Sequence, residues 1–79
     1  MEIKVLGTGC ANCANLQKNV VKALEEMQLE AVVSKVEDFQ KIASYGIMRT
    51  PALVINEKVK IFGRVPNVEE IKKMIIEEK

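Results

Sequence analysis

Hydrophobic and polar residues change period several times along the chain, and each change predicts an element. From Glu2 to Leu6 they alternate, with Ile3 and Val5 on one face, which predicts a short strand ending at the Gly7-Thr8-Gly9 loop. From Ala11 to Leu29 the apolar positions Leu16, Val20, Ala23, Leu24 and Met27 recur at helical spacing, and Gln17, Lys18, Lys22, Glu25 and Glu26 fill the opposite face. Ala31 to Val36 is β-branched and apolar, so it predicts a second strand, parallel to the first if the helix is a crossover. Asp38 can cap a short helix running to Ser44 or Tyr45, with Gly46 placed to end it in a left-handed conformation.

Beyond Thr50-Pro51, Ala52 to Asn56 and Lys58 to Phe62 are apolar or alternating runs about a tight Asn56-Glu57 corner, the pattern of an antiparallel hairpin that Gly63 ends. Asn67 followed by Glu70 three residues later is a capping signature, and Val68, Ile71, Met74 and Ile75 give the last helix its apolar stripe. The predicted order is β-α-β-α-β-β-α, an α/β fold with a four-stranded mixed sheet flanked by helices. At 79 residues a single domain over 1–79 is expected, because a chain this short buries only about 60% of its unfolded surface.

Charge narrows the partners. Twelve basic and eleven acidic residues give a formal net charge of +1, with Lys scattered among Glu rather than gathered in a stripe, so nucleic acid is not expected. Met1 to Leu6 is too short and too charged for a signal-peptide core or a membrane span, which makes the cytoplasm the expected location. A monomer is expected.

That location bears on Cys10 and Cys13, because cytosolic disulfides are more often catalytic than structural. Closing a loop this short stabilises by only about 2 kcal/mol in the chain-entropy model, so a structural staple would be better placed elsewhere. Cys10-Ala11-Asn12-Cys13 falls at a strand-to-helix junction, where unpaired N–H groups and the helix dipole favour a thiolate at Cys10. Cys13, one turn in, is expected to be shielded and more thiol-like. Cys10 is thus the expected nucleophile and Cys13 the resolving thiol. Lowering the first thiol's pKa from about 8.5 to about 7 would raise its thiolate fraction about 16-fold at neutral pH. Lower basicity would return about fivefold of that, so the larger benefit is as a leaving group.

The βαβ unit with C-x-x-C at its helix start, followed by Tyr45-Gly46-Ile47-Met48-Arg49-Thr50-Pro51, resembles the thioredoxin superfamily over essentially the whole chain. More narrowly, Gly7 to Leu16 resembles the small archaeal and bacterial redox-active disulfide proteins, thioredoxin-like and glutaredoxin-sized. The resemblance implies a thiol-disulfide oxidoreductase acting on protein disulfides and fed by a reductase such as thioredoxin reductase, with no prosthetic group. It also implies a cis Pro51 facing the cysteines, Thr50 pairing with an extended substrate, and Gly63 keeping that groove clear. The chain departs from thioredoxins in having Gly9 before the first cysteine and Ala-Asn between the two. In place of the glutaredoxin Gly-Gly-x-Asp signature it has Phe62-Gly63-Arg64-Val65-Pro66-Asn67.

The alternative from another class is a Cu(I) or soft-metal carrier using both thiolates. Such domains follow a βαββαβ order ending in a strand, and place a methionine where this sequence has Thr8. A closed zinc site would need more ligands than two cysteines and no histidine supply. Arg49, beside Thr50-Pro51, could steer an acidic partner or stabilise the thiolate, although a solvated charge is the commoner fate. Tyr45 and Met48 could rim a docking surface or simply fill gaps, and the charges of the last helix read as its solvated face.

Overall fold

The computed structural model describes residues 1–7 and 11–78. The elements are β1 (Glu2–Leu6), α1 (Ala11–Met27), β2 (Val32–Val36), α2 (Phe39–Ser44), β3 (Ala52–Ile55), β4 (Lys58–Phe62) and α3 (Val68–Glu77). They form a mixed sheet in the order β2-β1-β3-β4. β1 runs parallel to β2, in register from Glu2 with Val32 to Leu6 with Val36, and antiparallel to β3, with Leu6 opposite Ala52. The crossover through α1 and the β3–β4 hairpin are therefore as the pattern predicts.

The two central strands are covered on both faces. Ile3 and Val5 of β1 pack with Leu53 and Ile55 of β3 against Leu16, Val20, Ala23 and Leu24 of α1 and Ile71 and Ile75 of α3. On the other face, Leu6, Ala52 and Val54 pack with Ile42 of α2 and with Ile47. All four residues of β3 are buried, which explains why its sequence is a continuous apolar run rather than an alternation. Burying a Leu, Val or Ile side chain contributes about 1.5–3 kcal/mol, so β3 is held firmly from both faces.

The ends of the elements follow local chemistry. Asn67 accepts a hydrogen bond from the Glu70 N–H at 2.9 Å, and Glu70 Oε1 accepts one from the Asn67 N–H at 3.3 Å, completing the capping box of α3. Asp38 caps α2 through the Gln40 N–H, and Gly46 follows it at φ +76°. Asn56 and Glu57 both take positive φ in the hairpin turn, as a two-residue loop of the right twist requires.

Helix α1 stops two residues before the predicted Leu29. Gln28 turns left-handed at φ 53°, its N–H donates to Glu25 O at 3.1 Å, and the Leu29 N–H donates to Leu24 O at 3.0 Å. This is a Schellman ending with glutamine where glycine is usual, closed by the apolar pair Leu24 and Leu29. The charges of α3 are also more than a solvated face. Lys72 pairs with Glu26 of α1, and Glu78 takes Lys60 at 2.8 Å and Lys58 at 3.4 Å from β4.

Candidate functional site

At its C-terminal end β1 passes into Gly7, whose N–H donates to Val36 O at 3.0 Å and so extends the pairing with β2 by one residue. Cys13 lies in the first turn of α1, on the stripe that continues through Leu16 and Val20, and is 1% exposed. Gly7 and Cys13 meet closely. Any side chain on Gly7 would run into Cys13 Sγ, and its Cβ would also stand 3.2 Å from Cys13 Cβ and 3.9 Å from Thr50 Cβ. Gly7 has no left-handed φ, so the position calls for glycine because of space alone.

Thr50 borders the same point, and Pro51 follows it. The peptide bond between them is cis. Pro51 is buried while Thr50 is exposed, and Pro51 O accepts a hydrogen bond from the Gly63 N–H at 2.9 Å. Among the described residues no hydrogen bond engages the backbone of Thr50. Gly63 has φ +84°, and a Cβ there would lie 3.6 Å from Arg49 Cβ and 3.5 Å from Arg49 Cδ. The arginine stem therefore lies along Gly63.

Cys13, Gly7, Thr50, Pro51 and Gly63 form a contiguous group at one end of the sheet. Cys10, the expected nucleophile, lies outside the described residues, as do Thr8 and Gly9.

Beside Thr50 is an apolar hollow lined by Phe39, Ile42, Ala43, Ile47 and Met48. Phe39 is 77% exposed and Met48 95% exposed, so two large apolar side chains stand in solvent next to the group. The pattern carries no signal for Phe39, which stands alone after the capping Asp38. Gly7 read only as the end of a strand. Its role depends on a sulfur six positions along, which only the folded chain brings to it.

Among the described residues no polar or charged side chain is buried, so no buried carboxylate stands behind Cys13 within that set. The partly buried charge of β1 is Lys4, across the sheet from α1. Its Nζ donates to Tyr45 Oη at 2.9 Å and to Glu57 Oε1 at 2.5 Å, and Tyr45 Oη donates to Glu57 Oε2 at 3.1 Å. The hydrogen bond from Lys4, with that from Tyr45, holds the Glu57 carboxyl below its usual range. The bonds to Glu57 and Tyr45 raise the Lys4 ammonium above its own. Tyr45 thus ties the end of α2 to the hairpin turn.

A mixed sheet in the order β2-β1-β3-β4, with α1 and α3 on one face and α2 on the other, defines a thioredoxin-like α/β protein. The thioredoxin-domain family model matches residues 1–76. Thioredoxin of Methanothermobacter thermautotrophicus is 40% identical over 75 residues, spanning 95% of this chain and 97% of that protein. Thioredoxin of Methanocaldococcus jannaschii is 39% identical over 70 residues, spanning 89% and 80%. The chain belongs to the thioredoxin family, and that membership supports a thiol-disulfide oxidoreductase kind of function. No helix among the described residues is long and apolar enough to cross a membrane.

Proposed function

We propose that the chain is a single-domain, monomeric, cytoplasmic protein disulfide reductase working through Cys10 and Cys13. The Cys10 thiolate attacks a substrate disulfide, forming a mixed disulfide and expelling one substrate thiolate, which takes up a proton. The Cys13 thiolate, its proton gone to solvent, then attacks Cys10 Sγ and expels the second substrate thiolate. Two electrons have passed to the substrate, and the protein is left with a Cys10–Cys13 disulfide. A reductase or another dithiol, oxidised in turn, restores the pair.

The observation that carries this reading is the placement of Cys13. Its sulfur occupies a notch that exists only because residue 7 has no side chain, Thr50 Cβ borders the same space, and the backbone of Thr50 has no hydrogen-bond partner among the described residues. An extended peptide can pair with Thr50 over a floor of Pro51 and Gly63 while a shielded second thiol waits beneath. The apolar hollow at Phe39 and Met48 gives such a peptide surface to bury.

Two variants test the division of labour. With a disulfide substrate, Cys13→Ser accumulates a mixed disulfide detectable by mass after acid quenching, and Cys10→Ser does not. The reverse pattern refutes the assignment. Titration of the wild type in dithiol redox buffers should give one reversible two-electron couple between roughly −300 and −180 mV. If no intramolecular bridge forms and the metal-free protein instead holds Cu(I) through both thiolates, the carrier reading replaces this one.

A further inference from the structure

The chain carries two arginines, and the fold uses them differently. Arg64 is committed: its guanidinium donates to both carboxylate oxygens of Glu70, at 3.3 and 2.6 Å, and Glu70 also closes the capping box of α3. Arg49 immediately precedes Thr50, and among the described residues no carboxylate lies within ion-pair reach of it. Its stem rests along Gly63, whose N–H is bonded to Pro51 O, so the side chain is laid against the floor of the proposed substrate groove. Its exposed chain neighbours, Met48 and Thr50, are uncharged, as are the exposed Ala11 and Asn12 of the first turn of α1 that holds Cys13.

Among the described residues the rim thus presents Arg49 as an uncompensated cation, its stem laid against Gly63 before any partner arrives. A guanidinium fork matches a carboxylate in two parallel hydrogen bonds, and ordering of its stem reduces the entropy lost on pairing. A peptide lying beside Thr50 would also exclude water from the pair, strengthening it relative to the same contact in bulk solvent.

We propose that Arg49 is a specificity-determining residue, selecting disulfide substrates that carry Asp or Glu beside the reactive cysteine. This rests on the reading of the Thr50–Pro51 rim as the substrate site.

The test uses two disulfide-linked peptides that differ only in having Glu or Gln on both sides of the cysteine, and measures the second-order rate at which the reduced full chain reduces each. Wild type should favour the Glu peptide by about three- to tenfold at about 0.02 M salt, and by clearly less at about 0.3 M. Arg49→Gln should bring the ratio to about one. Arg49→Lys should retain part of the preference, and Arg49→Glu should invert it. Arg64→Gln, which alters a cation already held by Glu70, should keep the wild-type ratio.

Equal reduction of both peptides by wild type, or a preference that survives Arg49→Gln, overturns the assignment of Arg49 and leaves the oxidoreductase reading standing. Failure to reduce either peptide overturns both.

Discussion

Replacing Gly7 with alanine adds one methyl group, and the structure says where it goes: into the space held by Cys13 Sγ, with Cys13 Cβ 3.2 Å away. Neither neighbour can yield cheaply, since Cys13 is buried on α1 and Gly7 is hydrogen-bonded to Val36. Overpacking of this kind costs about 1–3 kcal/mol. For a chain of this length a mid-range cost of about 2 kcal/mol lowers the melting temperature by roughly 8–16 °C. Gly46→Ala is the matched control, because at φ +76° its Cβ meets nothing within 4 Å. It should lose about 1 kcal/mol through backbone conformation alone.

A double-mutant cycle separates the sulfur from everything else. Urea unfolding of the wild type, Gly7→Ala, Cys13→Ala and the double variant, all under reducing conditions, gives the cost of the methyl group with and without Sγ. That cost should fall by about 1 kcal/mol or more when Sγ is absent, and stay above zero because Cys13 Cβ remains close. The same displacement should lengthen the life of the mixed disulfide in Gly7→Ala, since the resolving sulfur is moved from its notch. Equal costs in the two cysteine backgrounds would refute the argument that glycine is there to seat the sulfur.

Two further outcomes follow from the ion pairs and caps. Glu57, Glu70, Glu26 and Glu78 are all held below their ordinary value of 4.5, chiefly by hydrogen bonds from Lys4, Arg64, Lys72 and Lys60 respectively. The stability they supply is present above that value and is lost as pH falls through their lower folded values. The raised Lys4 and Lys72 lose theirs only as pH climbs past 10.5. The urea midpoint should therefore be flat from about pH 5 to 10 and decline below about 4.5, and a midpoint that rises on acidification contradicts this. Asn67→Ala removes the acceptor for the Glu70 N–H and should lower stability by about 1 kcal/mol, read by thermal melting, with Asn67→Asp close to wild type.

How much was legible in the sequence depended on the range over which each signal acts. The strand alternation at Ile3 and Val5, the stripe of α1 and the Asn67–Glu70 capping box are local, and the fold keeps them. The end of α1 is not legible, because Gln28 occupies a left-handed position that a glycine would advertise. The reach of Lys4 to Tyr45 and Glu57, and of Lys72 to Glu26, joins residues far apart in the chain, which no periodicity encodes. At the site, Thr50, Pro51 and Gly63 could be named from resemblance, and Gly7 could not. A glycine after a strand has many explanations, and the sulfur that selects this one arrives through the first turn of a helix.

The segment from Tyr45 to Pro51 shows how so small a chain presents a defined surface from a stretch without regular structure. It is fastened at one end by Tyr45, whose hydroxyl is held by Lys4 and Glu57. In the middle, Ile47 is inserted with Leu6, Ile42, Ala52 and Val54. At the far end Pro51 is buried and bonded to Gly63, just where the chain enters β3, the strand covered on both faces. Between the last two anchors only Met48, Arg49 and Thr50 face solvent. A loop pinned at such short intervals has few conformations to lose when a partner binds, so its exposed side chains work as preordered contacts rather than as a tether. The polar network on the side of the sheet away from α1 thereby bears on the site without touching it. It sets where the rim begins, and the buried strand sets where it ends.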